Sequence, residues 1–393
     1  MIKLVEDTIS RDMLLKLSEW MLQENTPQLT KGPLTKQYER LWSDKCGTKH
    51  SVNVNSGSSA ILLTLSALKQ LNWLKNNKIV VPSLSWHTDV SSPLELGFQT
   101  YLCDCNKNDL SVDLTYLEHM FKLHDPAAFI LVSVLGLVPD MDKVVELCKK
   151  YDVILLEDVC ESLGSEYKGR KLGTFGLASF FSTYYGHHIS TIEGGMISTD
   201  NEKLANMLLS IRNHGWDRDV SEQQKNAWRS ENKVNEFESL YTFYNSGYNV
   251  RSTDLQAFIG IEQLKILDEV VKKRVNNFNI FKDKLKNVND FEMLDYSYQI
   301  NNKVSNFAFP LVSKHREKLI LNLKQNNVEC RPLIAGSMAK QPFWIKSRCY
   351  DPAQKLPNCD VVHKYGIYIP NNQNMTEQQI EFVCNVILKT IGE

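Results

Sequence analysis

Between about residue 50 and residue 200, short apolar runs alternate with stretches whose apolar positions recur every three or four residues. Runs at 51–54, 78–81, 100–103, 127–134 and 153–156 read as strands. The intervening 58–74, 90–96, 114–123 and 141–151 carry helical periodicity. Strands alternating with helices of this length imply βαβ units, hence an α/β fold with a mostly parallel central sheet sandwiched by helices. Sheets of this kind take their ligands at the carboxyl ends of their strands. Side chains just after each apolar run are therefore the first candidates for chemistry.

The pattern changes after residue 216. Residues 216–245 are polar and charged, consistent with a long surface loop or a short helical excursion. Ser252-Thr-Asp then offers an N-cap to a long amphipathic helix with Leu255, Phe258, Ile259, Ile261, Leu264 and Leu267 on its apolar side, which is expected to bridge two lobes. Beyond it, one apolar run at 307–312 lies between helical patterns and 377–391 closes the chain. The expected division is a large domain over 1–260, including an N-terminal segment 1–30, and a small C-terminal α+β domain over 261–393.

Composition narrows the classes of function. The 393 residues are 42% hydrophobic and 23% charged, as in ordinary globular proteins. Lys plus Arg (45) almost balances Asp plus Glu (46), which leaves no net basic field for nucleic acid or an anionic membrane. The acidic start Met1-Ile-Lys-Leu-Val-Glu-Asp does not read as a signal peptide, and the most apolar run, 127–139, is too short to span a bilayer, so a cytoplasmic protein is expected. Nine scattered cysteines read as reduced thiols. Cys103-Asp-Cys105 has no second pair at zinc-site spacing, and no metal is expected.

Asn55-Ser-Gly57-Ser58-Ser-Ala follows the first strand and opens a helix, so its amides and hydroxyls can cradle a phosphate; the same turn also serves as a plain helix cap. Trp86 follows the second strand, where an indole can stack on a flat heteroaromatic ring or pack in the core. Asp158 ends the strand 153–156, placed either as a cap or as an acid facing a pyridinium nitrogen. Glu161 lies one turn further. Ser182 precedes His187 by five residues, and Glu193-Gly-Gly follows His187 by six. A histidine can move protons near neutral pH but cannot form an imine with an aldehyde.

Taken together, the cradle, the indole, the acid and the segment from Ser182 to Gly195 resemble the fold-type I pyridoxal-phosphate enzymes, and within them the nucleotide-sugar aminotransferases. Leu29-Thr-Lys-Gly-Pro, Gln37-Tyr-Glu and Gly247-Tyr-Asn249-Val-Arg251 extend the resemblance over nearly the whole chain. One departure matters: His187 stands where the family carries the lysine that tethers its cofactor. The resemblance, sharpened by His187-His188-Ile, Arg212-Asn-His214-Gly-Trp216 and Glu329-Cys-Arg331-Pro, is to a sugar 3-dehydratase branch. It implies pyridoxamine phosphate and pyridoxal phosphate as the working cofactor, glutamate as amino donor and a GDP-linked 4-keto-6-deoxy sugar as substrate. It further implies His187 as the base, Asp158 on the ring nitrogen, Glu161 at the phenolic oxygen, and Gly57, Ser58, Trp86 and Ser182 around the cofactor. Asn249 is expected to reach the phosphate of the neighbouring subunit in a homodimer, with His214 and Arg331 contacting the nucleotide sugar. The absence of cysteine between Cys160 and Cys330 speaks against the iron–sulfur version of this chemistry.

Overall fold

The alternation in the first half of the chain builds a seven-stranded sheet. The computed structural model describes residues 1–299 and 301–392. Its strands are β1 (His50–Val54), β2 (Lys78–Pro82), β3 (Gln99–Cys103), β4 (Ala128–Val132) and β5 (Ile154–Asp158). A small hairpin, β6 (Glu166–Tyr167) and β7 (Arg170–Lys171), precedes β8 (Ala178–Ser182) and β9 (Gly195–Thr199). The large sheet runs β1-β9-β8-β5-β4-β2-β3. Pairings among β3, β2, β4, β5 and β8 are parallel, whereas β9 runs antiparallel to both β8 and β1. All five residues of β4 are buried, as a parallel strand covered on both faces requires.

The central strands β8 and β9 carry no clean apolar run, because serines and threonines interrupt them. Ser179 pairs in register with Ser198, whose hydroxyl meets that of Ser51 at 3.0 Å; Ser51 in turn accepts from Ser43 at 2.8 Å. Polar side chains that satisfy one another can be buried in a sheet with little penalty, and they hide the strand signal. The expected helix 58–74 is Gly57–Gln70, ending where Asn72 turns left-handed (φ 56°). In the polar stretch 216–245, a helix Glu222–Asn232 capped by Ser221 forms, followed by a 3-10 turn Glu238–Tyr241.

The bridging helix spans Asp254–Leu285, with Thr253 and Gln256 forming a capping box. The boundary expected at 260/261 falls inside this helix. Near its start the Asp254 carboxylate accepts the amides of Gly32, Leu34 and Thr35, which pins the N-terminal segment. Further along, buried Arg274 donates to the carbonyls of Phe307 (2.8 Å) and Asn371 (2.6 Å). Those carbonyls flank a second, antiparallel sheet of β10 (Ala308–Val312), β11 (Arg331–Pro332) and β12 (Gly366–Pro370), ordered β10-β12-β11. Helices Arg316–Gln325 and Glu377–Gly392 pack on each other beside it. All nine cysteines are free, and among the described residues no helix is long and apolar enough to cross a membrane.

Candidate active site

Side chains gather where the carboxyl ends of β1, β2, β5 and β8 meet. After β1, Ser56 caps the helix Gly57–Gln70 by accepting the Ser59 amide at 3.0 Å, leaving the earlier amides of that turn for an outside acceptor. A Cβ on Gly57 would stand 2.9 Å from the Ser182 Cβ and 3.1 Å from the Cys160 Sγ. On Gly195 it would lie 2.3 Å from the Ser56 carbonyl. Only glycine allows these segments to converge. Gly57, Ser58 and Ser182 therefore gather at a helix N-terminus, a candidate anion recess where aligned peptide dipoles favour negative charge.

Next to this recess, β5 delivers Asp158, buried, with Oδ1 accepting the Cys160 amide at 2.8 Å. It meets Asp89, a fully buried acid in the first turn of helix His87–Glu95. Burial, and then the neighbouring Asp158, pushes Asp89 well above the carboxylate range. Asp89 also accepts the Trp86 amide at 3.2 Å, which ties the start of that helix to the acid pair. Trp86 itself is 58% exposed, so its indole is a free platform rather than a core residue.

Glu161 accepts the amide of Leu135 at 2.9 Å. Leu135 holds a left-handed conformation (φ 52°, ψ 21°) that aims this amide at the carboxylate. Burial, with a contribution from Asp158, pushes Glu161 up to about 8. Tyr368 of β12 lies close to Glu161 and pairs with the exposed Arg331 of β11.

His187 is half-buried beside the Cys160 carbonyl, its ring 5.4 Å from Phe307 and its Nδ1 without a partner. Burial, reinforced by the Arg274 guanidinium, lowers it to about 4, so the imidazole is neutral. His188 faces away from this chemistry and into the core, fully buried, with Nε2 3.1 Å from the Ser305 carbonyl. Cys160 touches Gly57, Asp158 and His187, and so links the recess, the acid and the imidazole.

His187, Asp158, Glu161, Gly57, Ser58, Trp86 and Ser182 are thus brought to one locality. Asn249 and His214 are not joined to it by any contact within the described residues. Asn249 is exposed, and its neighbour Val250 accepts the Asn55 amide at 3.0 Å. His214 (φ 61°) packs against Trp216 at 5.1 Å in an aromatic group that includes Phe243 and Tyr241. Asp89, Tyr368 and Arg274 are not singled out by the sequence pattern. Asp89 sits in a helix whose outward positions are polar anyway, and the other two come from the distant small sheet and the bridging helix. Ligand atoms of Asp104, Cys105 and Cys359 gather within 4.8 Å, but that carboxylate is committed to the amides of Cys105, Asn358 and Cys359 as a helix cap.

Residues 12–388 match the DegT/DnrJ/EryC1/StrS aminotransferase family. The chain is 33% identical over 368 residues to a GDP-4-keto-6-deoxy-D-mannose 3-dehydratase of Yersinia pseudotuberculosis, covering 92% of each chain. To the protein of that name from Escherichia coli it is 34% identical over 371 residues, covering 92% of this chain and 94% of the relative. A crystal structure of GDP-4-keto-6-deoxymannose 3-dehydratase with trapped pyridoxal phosphate and glutamate superposes with a TM-score of 0.86 at 31% identity, over 98% of this chain and 100% of that one. Sequence and structure give the same answer: the chain belongs to the DegT/DnrJ/EryC1/StrS aminotransferase family.

Proposed function

We propose that this chain is a pyridoxal- and pyridoxamine-phosphate-dependent dehydratase that removes the C3 hydroxyl of GDP-4-keto-6-deoxy-D-mannose. The products are the GDP-4-keto-3,6-dideoxy sugar and ammonia, and glutamate restores the consumed amine. The observation that carries the reading is His187: the segment between Ser182 and Gly195 contains no lysine, and a neutral imidazole stands instead beside the backbone of Cys160, two residues after Asp158 and one before Glu161. The residues fit the cofactor. The first amides of helix Gly57–Gln70, with Ser182 packed beside them, suit its phosphate, the exposed Trp86 suits its ring, and the buried acid Asp158 suits its nitrogen.

When bound, the cofactor supplies an amine for the C4 ketone and a ring that accepts electron density. The chain's own residues do the rest. Gly57, Ser58 and Ser182 anchor the phosphate at the helix N-terminus. Asp158, ionised, holds a proton on the facing nitrogen. His187 takes a proton on its neutral imidazole and, as an imidazolium, can return it to the departing C3 hydroxyl. Burial, reinforced by Arg274, which is held by two carbonyls, keeps His187 unprotonated at rest. Arg331 and His214 are assigned to the nucleotide sugar, and Asn249 to the phosphate of the second subunit in a homodimer. Residues 1–260 form the cofactor-binding part and 261–393 the small domain, in a cytoplasmic enzyme of deoxysugar biosynthesis.

The test is product analysis. Incubation with GDP-4-keto-6-deoxy-D-mannose and glutamate should yield a sugar without nitrogen, with ammonia and 2-oxoglutarate rising together. A stable 4-amino sugar would make the protein an aminotransferase.

A further inference from the structure

We propose that Asp89 carries a proton and donates it in a hydrogen bond to Asp158, making it a positioning residue for the acid that faces the cofactor nitrogen. The inference rests on the cofactor reading above. Its first support is an accounting of bonds. Asp89 Oδ2 accepts the Trp86 amide at 3.2 Å, whereas Oδ1 is buried and has no donor. The group it meets is a second carboxylate, Asp158. Two ionised carboxylates offer only acceptors and repel each other, so contact between them is stable when one proton lies between.

The second support decides which acid keeps that proton. Asp158 Oδ1 already accepts the Cys160 amide at 2.8 Å, a bond that favours its ionised form. Asp89 has a single, longer amide bond and a fully buried position. The other titratable groups facing the pair are the Glu161 carboxyl and the Cys160 thiol, neither of which is a cation that would draw Asp89 into its charged form. Asp89 therefore stays neutral and Asp158 charged. The charge-assisted bond between them fixes the Asp158 rotamer, and its remaining lone pairs face the cofactor. The same bond withdraws electron density from Asp158, which makes it a weaker base toward the ring nitrogen than a lone carboxylate would be. Helix His87–Glu95 thus sets the acidity of the cofactor from behind.

Asp89→Asn retains both functions, since its amide can accept from Trp86 and donate to Asp158; Asp89→Leu retains neither. Each protein should be loaded with pyridoxal phosphate carrying nitrogen-15 in the ring, with the ring-nitrogen resonance and the cofactor affinity measured together. In Asp89→Leu the resonance should move and the affinity fall by about tenfold, the loss of one bond to a charged group. Asp89→Asn should restore both. An unmoved resonance in Asp89→Leu reduces Asp89 to a helix cap, and an Asp89→Asn resonance displaced like that of Asp89→Leu means that Asp89 is ionised; either overturns the proposal. Should Asp89→Leu not fold, the infrared difference between wild type and the near-isosteric Asp89→Asn decides. Loss of one protonated-carboxyl stretch supports the assignment and no loss rejects it. Failure of the wild type to take up the labelled cofactor would instead refute the site reading itself.

Discussion

His187 differs from the residue it replaces in what it cannot do. A lysine tethers the cofactor, whereas an imidazole leaves it free to exchange. In the wild type, borohydride should therefore leave no cofactor on the protein, and His187→Lys should create a reducible link while abolishing dehydration. A pyridoxyl-lysine peptide from wild-type protein would refute this reading. The shifted titration of His187 gives a second expectation. Its folded value of about 4 lies below the ordinary 6.5, so its contribution to stability is complete above about 6.5 and is lost as the pH falls through about 4. Melting temperatures of cofactor-free wild type and His187→Asn, compared across pH 4 to 7, should converge as the solution is acidified. At Asp158, substitution by Asn removes the charge proposed to keep the ring nitrogen protonated. Asp158→Asn should slow turnover by on the order of 4 kcal/mol of barrier, and a variant within tenfold of wild type would take Asp158 out of the site.

Secondary elements matter here through how closely their ends approach. The first residue of β9 passes so near the turn after β1 that Gly195→Ala would press a methyl against the Ser56 carbonyl and the Gly57 amide. That amide belongs to the phosphate cradle. Gly195→Ala should weaken cofactor binding by more than tenfold with a smaller effect on melting temperature, measurable by absorbance titration; unchanged affinity would separate β9 from the cradle. This is also the scale at which the sequence was most and least legible. Strands β2, β4 and β5 and their helices announce themselves because each carries an apolar run of at least three residues beside a periodic one. β8 and β9 do not, since serines interrupt them and Ser198 finds its partner Ser51 only in the assembled sheet. The site shows the same division. Residues just past strand ends, such as Asp158 and Gly57, could be placed by position alone. Asp89 could not, because only the fold turns the first turn of its helix inward onto β5.

Across the whole molecule, an unusual amount of aromatic surface is left uncovered near residue 240. Phe237 is 83% exposed and Tyr241 75%, with Leu240 and Phe243 beside them and the exposed Asn249 a few residues on. A patch of this kind on a water-facing surface is what the proposed second copy would cover. Mixing inactive His187→Asn chains with inactive Asn249→Asp chains should then restore activity, because half the sites in a heterodimer would be intact. No recovery would mean that each chain builds its own site.

The order of strands has a consequence in time. In the sheet β1 lies at the edge beside β9, with His50 opposite Thr199, and β8 links β9 to the remaining strands. At cellular elongation rates the ribosome releases the later strand roughly 10–30 s after the earlier one. During that interval β1 lacks its strand partner, although helix Pro33–Cys46 already packs on it, and the nascent chain presents an unpaired strand edge to chaperones or to other chains. Production of this protein should therefore be limited by events before residue 200 has emerged, more than by the stability of the finished fold.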